Sequence, residues 1–123
     1  MKLKICGMKY RDNIVEVAEL QPDYMGFIFY NKSPRNVEDN IPELAKSIKK
    51  VGVFVNASLA EVIDKINTHN LQAVQLHGEE SPEYCNELRC QFEQSQELFP
   101  KSSLEIIKVF SKRFLSFKVC MIF

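Results

Sequence analysis

Three side chains stand where this chain could do chemistry. Cys6 ends a short strand-like run and is followed at once by Gly7. A thiol at the loop end of a strand can act as a nucleophile or, ionised, as a base. Arg35 lies in the polar loop Asn31-Lys32-Ser33-Pro34-Arg35-Asn36, and its planar fork suits a carboxylate. His77 follows the apolar run Ala73-Val74-Gln75-Leu76 and precedes Gly78, at a strand's polar end where an imidazole can line a pocket. Asn56 holds a similar position after Val51-Gly52-Val53-Phe54-Val55. Each also has a purely structural reading. Cys6 by itself would be a small buried hydrophobe, Arg35 a solvated loop cation, His77 a hydrogen-bonded core histidine and Asn56 a turn residue. Four cysteines (Cys6, Cys85, Cys90 and Cys120) and two histidines fit no zinc spacing. With no export signal, reduced thiols and a cytoplasmic location are expected, and Cys85, Cys90 and Cys120 read as packing residues.

The elements that must position these residues alternate. Leu3–Cys6 reads as a strand, and Asp12 as the N-cap of a helix carrying Ile14, Val15, Val17, Ala18 and Leu20. Pro22-Asp23 breaks it before Tyr24–Phe29, apolar enough for a strand buried on both faces of a parallel sheet. Ile41–Ile48 is predicted to be a helix, with Pro42 in its first turn. After the strand Val51–Val55, Ser58-Leu59-Ala60-Glu61 is a capping box opening a helix with Val62, Ile63 and Ile66 on one face. A fourth strand over Ala73–Leu76 follows. Glu79 and Glu80 are expected to be first-turn acids complementing the next helix, and Ser81-Pro82 to be its N-cap and first position. That helix should cover Glu83 to about Phe92, and Leu104–Val109 should be a fifth strand. Strands alternating with helices in this way mean βαβ units and a parallel sheet.

Composition narrows the function classes. The chain has 123 residues, 46% hydrophobic and 26% charged, which fits one domain with a real core. Sixteen basic and sixteen acidic side chains cancel, so no net field draws the chain to nucleic acid or an anionic membrane. No apolar run approaches the roughly 20 residues of a membrane helix. No G-x-G-x-x-G follows the first strand, which speaks against dinucleotide binding in an open sheet. In an open sheet or a closed barrel alike, the loops at the C-terminal ends of the strands form the site.

Five segments taken together carry a resemblance. Lys4-Ile5-Cys6-Gly7, Asp23–Phe29, Lys32-Ser33-Pro34-Arg35, Val51–Asn56 and Val74-Gln75-Leu76-His77-Gly78-Glu79 occur in the order and spacing of phosphoribosylanthranilate isomerase. That family is a (β/α)8 barrel of tryptophan biosynthesis. The resemblance runs from Met1 to about Ser111 and implies an incomplete TIM barrel of about five βα units. It implies an Amadori rearrangement of a phosphorylated ribosylamine, with no cofactor and no metal. It implies Cys6 as general base, Arg35 as the holder of the anthranilate carboxylate, and His77 as a substrate-binding residue of the pocket.

The departures from the family generate their own expectations. The family's general-acid aspartate belongs to its sixth strand and its phosphate-binding loops follow the seventh and eighth. Lys112 to Phe123 fits the family poorly. Residues 1–123 are therefore expected to be one domain, the N-terminal portion of a barrel with a divergent tail over 112–123, produced by a frameshift or a premature stop. Five strands would leave the first and last edges unpaired and the inward face unfilled, favouring instability and edge-to-edge association. An isomerase by descent would then have negligible turnover alone. The alternatives are a non-catalytic half-barrel needing a complementary C-terminal fragment, and an open-sheet binding module.

Overall fold

The computed structural model describes residues 2–95, 104–111 and 118–122, with backbone only at 110–111 and 118–122. Its sheet is built from β1 (Lys4–Ile5), β2 (Tyr24–Ile28), β3 (Lys49–Phe54), β4 (Ala73–Leu76), β5 (Glu105–Ser111) and β6 (Lys118–Ile122), lying side by side in chain order. The first five run parallel. β6 returns antiparallel along β5, with Ile107 opposite Ile122 and Ser111 opposite Lys118. The edge expected to lie open on β5 is thus paired, and the free edges among the described strands belong to β1 and β6. The rest of the stretch 112–123 lies outside the described residues.

Among the described residues three helices cover one face: α1 (Arg11–Ala18), α2 (Leu59–His69) and α3 (Pro82–Gln94). Ser58 caps α2 by accepting from the Glu61 N–H, and Ser81 caps α3 by accepting from the Tyr84 N–H, with Pro82 at the start. Both serines cap where the sequence predicts. α1 differs: its N-cap is Tyr10, without a side-chain bond, and Asp12 sits inside the first turn. Met8 is buried in the core, so the chain is pinned early and the helix starts before Asp12 can cap it.

The helix predicted over Ile41–Ile48 does not form. Pro42 drives Ile41 toward an extended backbone, and β3 begins at Lys49. Too few residues remain between them for a helix and a turn. Ile41, Leu44 and Ile48 still pack against the helix-side core, and a turn from the Ile48 N–H to the Ala45 carbonyl (2.9 Å) leads into the strand. The helical spacing of these apolar residues reflects burial by an irregular segment.

Strand alternation divides the core. Met25, Phe27, Phe54, Val74, Leu76 and Ile106 face the helices in one cluster. Tyr24, Val51 and Ala73 form a second cluster on the other face. That face is concave: the Tyr24 hydroxyl on β2 donates to Glu105 Oε2 on β5 over 2.8 Å. In a flat sheet those strands would stand roughly 14 Å apart. Curvature also changes one expectation, because the inward-facing Val51, Val53, Ala73 and Ile107 are buried.

At the N-terminal mouth of this face Lys49 pairs with Glu105, and its ammonium lies 5.6 Å from the centre of the Tyr24 ring. Burial alone would raise the Glu105 carboxyl, but hydrogen bonds from Lys49 and Tyr24 outweigh it and hold the group below its ordinary 4.5. The hydrogen bond to Glu105 in turn holds Lys49 above its ordinary 10.5. The depressed acid contributes stability that is present above 4.5 and lost as pH falls through its folded-state value. The raised base contributes stability that is present below 10.5 and lost as pH rises through its own. Glu105→Gln is therefore expected to lower the urea midpoint at neutral pH and to have no effect once Glu105 is protonated. The change should be under about 1 kcal/mol for so exposed a pair, read from unfolding curves at the two pH values.

Candidate active site at the C-terminal ends of the strands

β1 ends at Ile5, which leaves Cys6 exposed at the C-terminal rim of the sheet. Ile5 packs toward the helix side, so alternation sets Cys6 on the concave face. The Cys6 sulfur rests directly on Gly26 of β2, where an added Cβ would come within 2.8 Å of Sγ. Gly26 is the residue that lets the sulfur lie there. Beyond Cys6 the chain turns sharply: Gly7 has φ of 81°, a left-handed conformation that glycine adopts without strain. The N–H groups of Gly7 and Met8 both donate to the Gly26 carbonyl, over 3.0 and 3.1 Å.

The loop after β2 brings Arg35 to the same point. The Ser33 N–H bonds the Tyr30 carbonyl, the Arg35 N–H donates to Ser33 Oγ over 3.2 Å, and Asn36 bridges back to Ile28. Lys9 fixes the loop from outside by donating to the Pro34 carbonyl over 3.1 Å. The guanidinium then lies over Gly7, where a Cβ would be 2.3 Å from Nη1 and 2.9 Å from Cζ. Gly7 thus meets two demands, a positive φ and the close approach of Arg35. A sulfur and a planar cationic fork end up one residue apart on the rim.

His77 belongs to a second group, built on β3 and β4. Its N–H donates to the Phe54 carbonyl over 2.9 Å, and its side chain is half-buried. Behind it the two loops are locked by a buried carboxylate. Glu80 accepts from the N–H groups of Asn56 and Gly78, each over 2.9 Å, and from Lys108 Nζ at 2.9 Å. The Glu80 and Lys108 side chains are 2% and 6% exposed. Lys108 also donates to the Gly78 carbonyl. Asn56, with φ of 50°, accepts from the Glu79 N–H over 2.8 Å, and its Oδ1 occupies the space a Cβ on Gly78 would need. Tyr84 closes the arrangement by donating to the Ala57 carbonyl over 2.8 Å. Burial, reinforced by the Glu80 carboxylate, pushes that phenol up to about 12, so the donor keeps its proton at neutral pH.

The reading of Glu79 and Glu80 as helix first-turn acids is corrected: both precede the Ser81 cap, Glu83 is the acid of the first turn, and Glu80 anchors loops. Asn56 is the turn residue expected, and it ties two loops together as well. Sequence reasoning missed Lys108. Its signal was a lysine inside the apolar strand run Leu104–Val109, on the same face as Ile106. Cys85 is buried as expected, and burial raises its thiol. Cys90 is exposed, because α3 turns that face to solvent. The side chain of Cys120 lies outside the described residues.

A cavity of about 440 Å³ opens beside the irregular crossover, lined by Phe29, Asn36, Val37, Asn56, Glu61 and Lys65 among others. Cys6, Arg35 and His77 do not line it. Among the described residues no three His, Cys, Asp or Glu side chains converge as a metal site, and no helix is long and apolar enough to cross a membrane.

Residues 3–122 match the family model described as N-(5′-phosphoribosyl)anthranilate isomerase. A protein of that name from Parabacteroides distasonis is 46% identical over 95 residues, covering 72% of this chain and 43% of the relative. One from Phocaeicola vulgatus is 36% identical over 111 residues, covering 90% and 49%. The crystal structure of the Thermotoga maritima enzyme superposes with a TM-score of 0.70 at 31% identity, over 88% of this chain and 49% of that one. A further crystal structure of the isomerase holds reduced 1-(o-carboxyphenylamino)-1-deoxyribulose 5-phosphate. It matches with a TM-score of 0.67 at 34% identity, over 74% of this chain and 50% of that one. The chain spans about half the length of the relatives it matches.

Proposed function

This chain belongs to the N-(5′-phosphoribosyl)anthranilate isomerase family, whose N-terminal part it spans, and on that premise we propose that it supplies one half of the active site for the Amadori rearrangement in tryptophan biosynthesis. The observation that carries the proposal is the meeting of Cys6 and Arg35 across Gly7, with the sulfur seated on Gly26. In this reading Arg35 grips the anthranilate carboxylate through its two parallel donors, which brings C2′ of the sugar, one carbon beyond the C–N bond, toward the sulfur. Protonation of the ring oxygen opens the furanose and leaves an iminium. Cys6, as the thiolate, then takes the C2′ proton; the C2′–H electron pair forms a C1′=C2′ bond and the C=N⁺ π pair moves onto nitrogen, giving a neutral enolamine. Protonation at C1′ and loss of the hydroxyl proton produce the ketone. Substrate and product are isomers: C2′ is oxidised as C1′ is reduced, and the protons taken and given by the acid and base cancel, so electrons balance without an external oxidant or reductant.

His77, on the rim formed by β3 and β4, contributes a wall of the same pocket. The acid that opens the ring and the grip on the 5′-phosphate are assigned to the complementary part of the barrel, acting on a cytoplasmic, phosphorylated small molecule. The test is complementation. The 123-residue chain is mixed with the C-terminal half of the Parabacteroides distasonis relative, and loss of phosphoribosylanthranilate fluorescence is followed. Turnover that needs both halves is the expected result. Equal turnover by this chain alone would overturn the division of labour, and none from the mixture would overturn the isomerase reading.

A further inference from the structure

Gln75 stands apart on the concave face. In the register it lies level with Val53 of β3 and Ile107 of β5, both buried, and is itself only 8% exposed. Alternation sets it opposite Val74 and Leu76, which pack toward the helices. It therefore shares its side with Ala73 of the concave cluster and with Cys6. Its side-chain Oε1 is buried with no hydrogen-bond partner among the described residues. An acceptor left unpaired in such surroundings costs more than the apolar isostere that would fill the same space. Buried polar groups that persist unpaired in a fold call for an explanation, and a role in binding is one.

The chemistry of the missing partner can be narrowed. Oε1 is an acceptor, so only an O–H or N–H donor can complete it. In phosphoribosylanthranilate the carboxylate and the phosphate are acceptors, and the bridging N–H is ortho to the carboxylate and bonded internally to it. The sugar hydroxyls remain. We propose that Gln75 is a substrate-binding residue whose carbonyl oxygen accepts a hydrogen bond from a hydroxyl of the phosphorylated sugar. The inference rests on the isomerase reading above.

Two measurements on Gln75→Met test it. The first is urea unfolding of the full chain without ligand, where the variant is expected to have a higher midpoint because the orphaned acceptor is gone. A lower midpoint would mean that the protein itself holds Gln75, and would overturn the proposal. The second is titration of the two-half mixture with reduced 1-(o-carboxyphenylamino)-1-deoxyribulose 5-phosphate, and with anthranilate as the control lacking the sugar. Gln75→Met is expected to weaken the first about five- to tenfold, the loss of one hydrogen bond, and to leave anthranilate unchanged. Equal affinity for the sugar-bearing probe, or an equal loss for both probes, would overturn the role of Gln75. Failure of the wild-type mixture to bind the probe would overturn the isomerase reading itself.

Discussion

Cys6→Ala is expected to lower turnover of the complemented assembly by about 10²–10⁴-fold, the usual contribution of a positioned general base. The fold should scarcely register the change. Cys6 is exposed, and its sulfur lies against the bare backbone of Gly26; substitutions at exposed sites usually move stability by less than about 0.5 kcal/mol. The loss should therefore appear in kcat with an unchanged urea midpoint. KM should also stay close to wild type, because the carboxylate grip assigned to Arg35 remains. A fluorescence assay over a substrate series, run beside denaturation curves, reads all three quantities. Turnover within tenfold of wild type would place the base elsewhere.

Lys108→Met is expected to destabilise the chain by about 3–5 kcal/mol, the cost of removing one member of a buried ion pair. That is a large share of the roughly 5–15 kcal/mol that holds a domain folded. The reason lies with Glu80, which is 2% exposed and would lose its cationic partner while still accepting from the Asn56 and Gly78 amides. Replacing both members by apolar residues often restores stability elsewhere. Here Lys108→Met with Glu80→Leu should recover only part of the loss, because the two amides would then be buried without an acceptor. Urea midpoints of the single and double variants separate these contributions. A single variant within about 1 kcal/mol of wild type would show that water reaches the pair.

Much of the fold could be read from the chain. Pro22, Ser58 and the Ser81-Pro82 pair act through local backbone chemistry, and local chemistry is what a sequence displays directly. The predicted helix over Ile41–Ile48 failed where a local pattern met a tertiary demand. The apolar spacing was real, yet β3 took up Lys49 and Lys50 and left the segment too short. Glu80 and Lys108 failed for a different reason. Their pairing joins a loop to a strand 28 positions away, and neither residue alone names its partner. The candidate site was legible through its motifs, with Cys6, Arg35 and His77 all found on the C-terminal rim. The seating of a guanidinium on Gly7 was not, because it depends on a turn in one loop and a positive φ in another. Gln75 was hidden by its neighbours: a single polar residue in an apolar strand shows neither its face nor its missing partner.

The sheet keeps its strands in strict chain order, each beside the one made just before it. Every new strand therefore meets an edge that already exists, and no strand waits for a distant partner. A chain of this design can accrete from its first strand onward while it is still being synthesised, since neighbours in sequence close first and loop-closure entropy stays small at every step. The same order makes the early strands the template for all later ones. An error in β1 or β2 would propagate through the sheet, whereas one in β6 would end where it began.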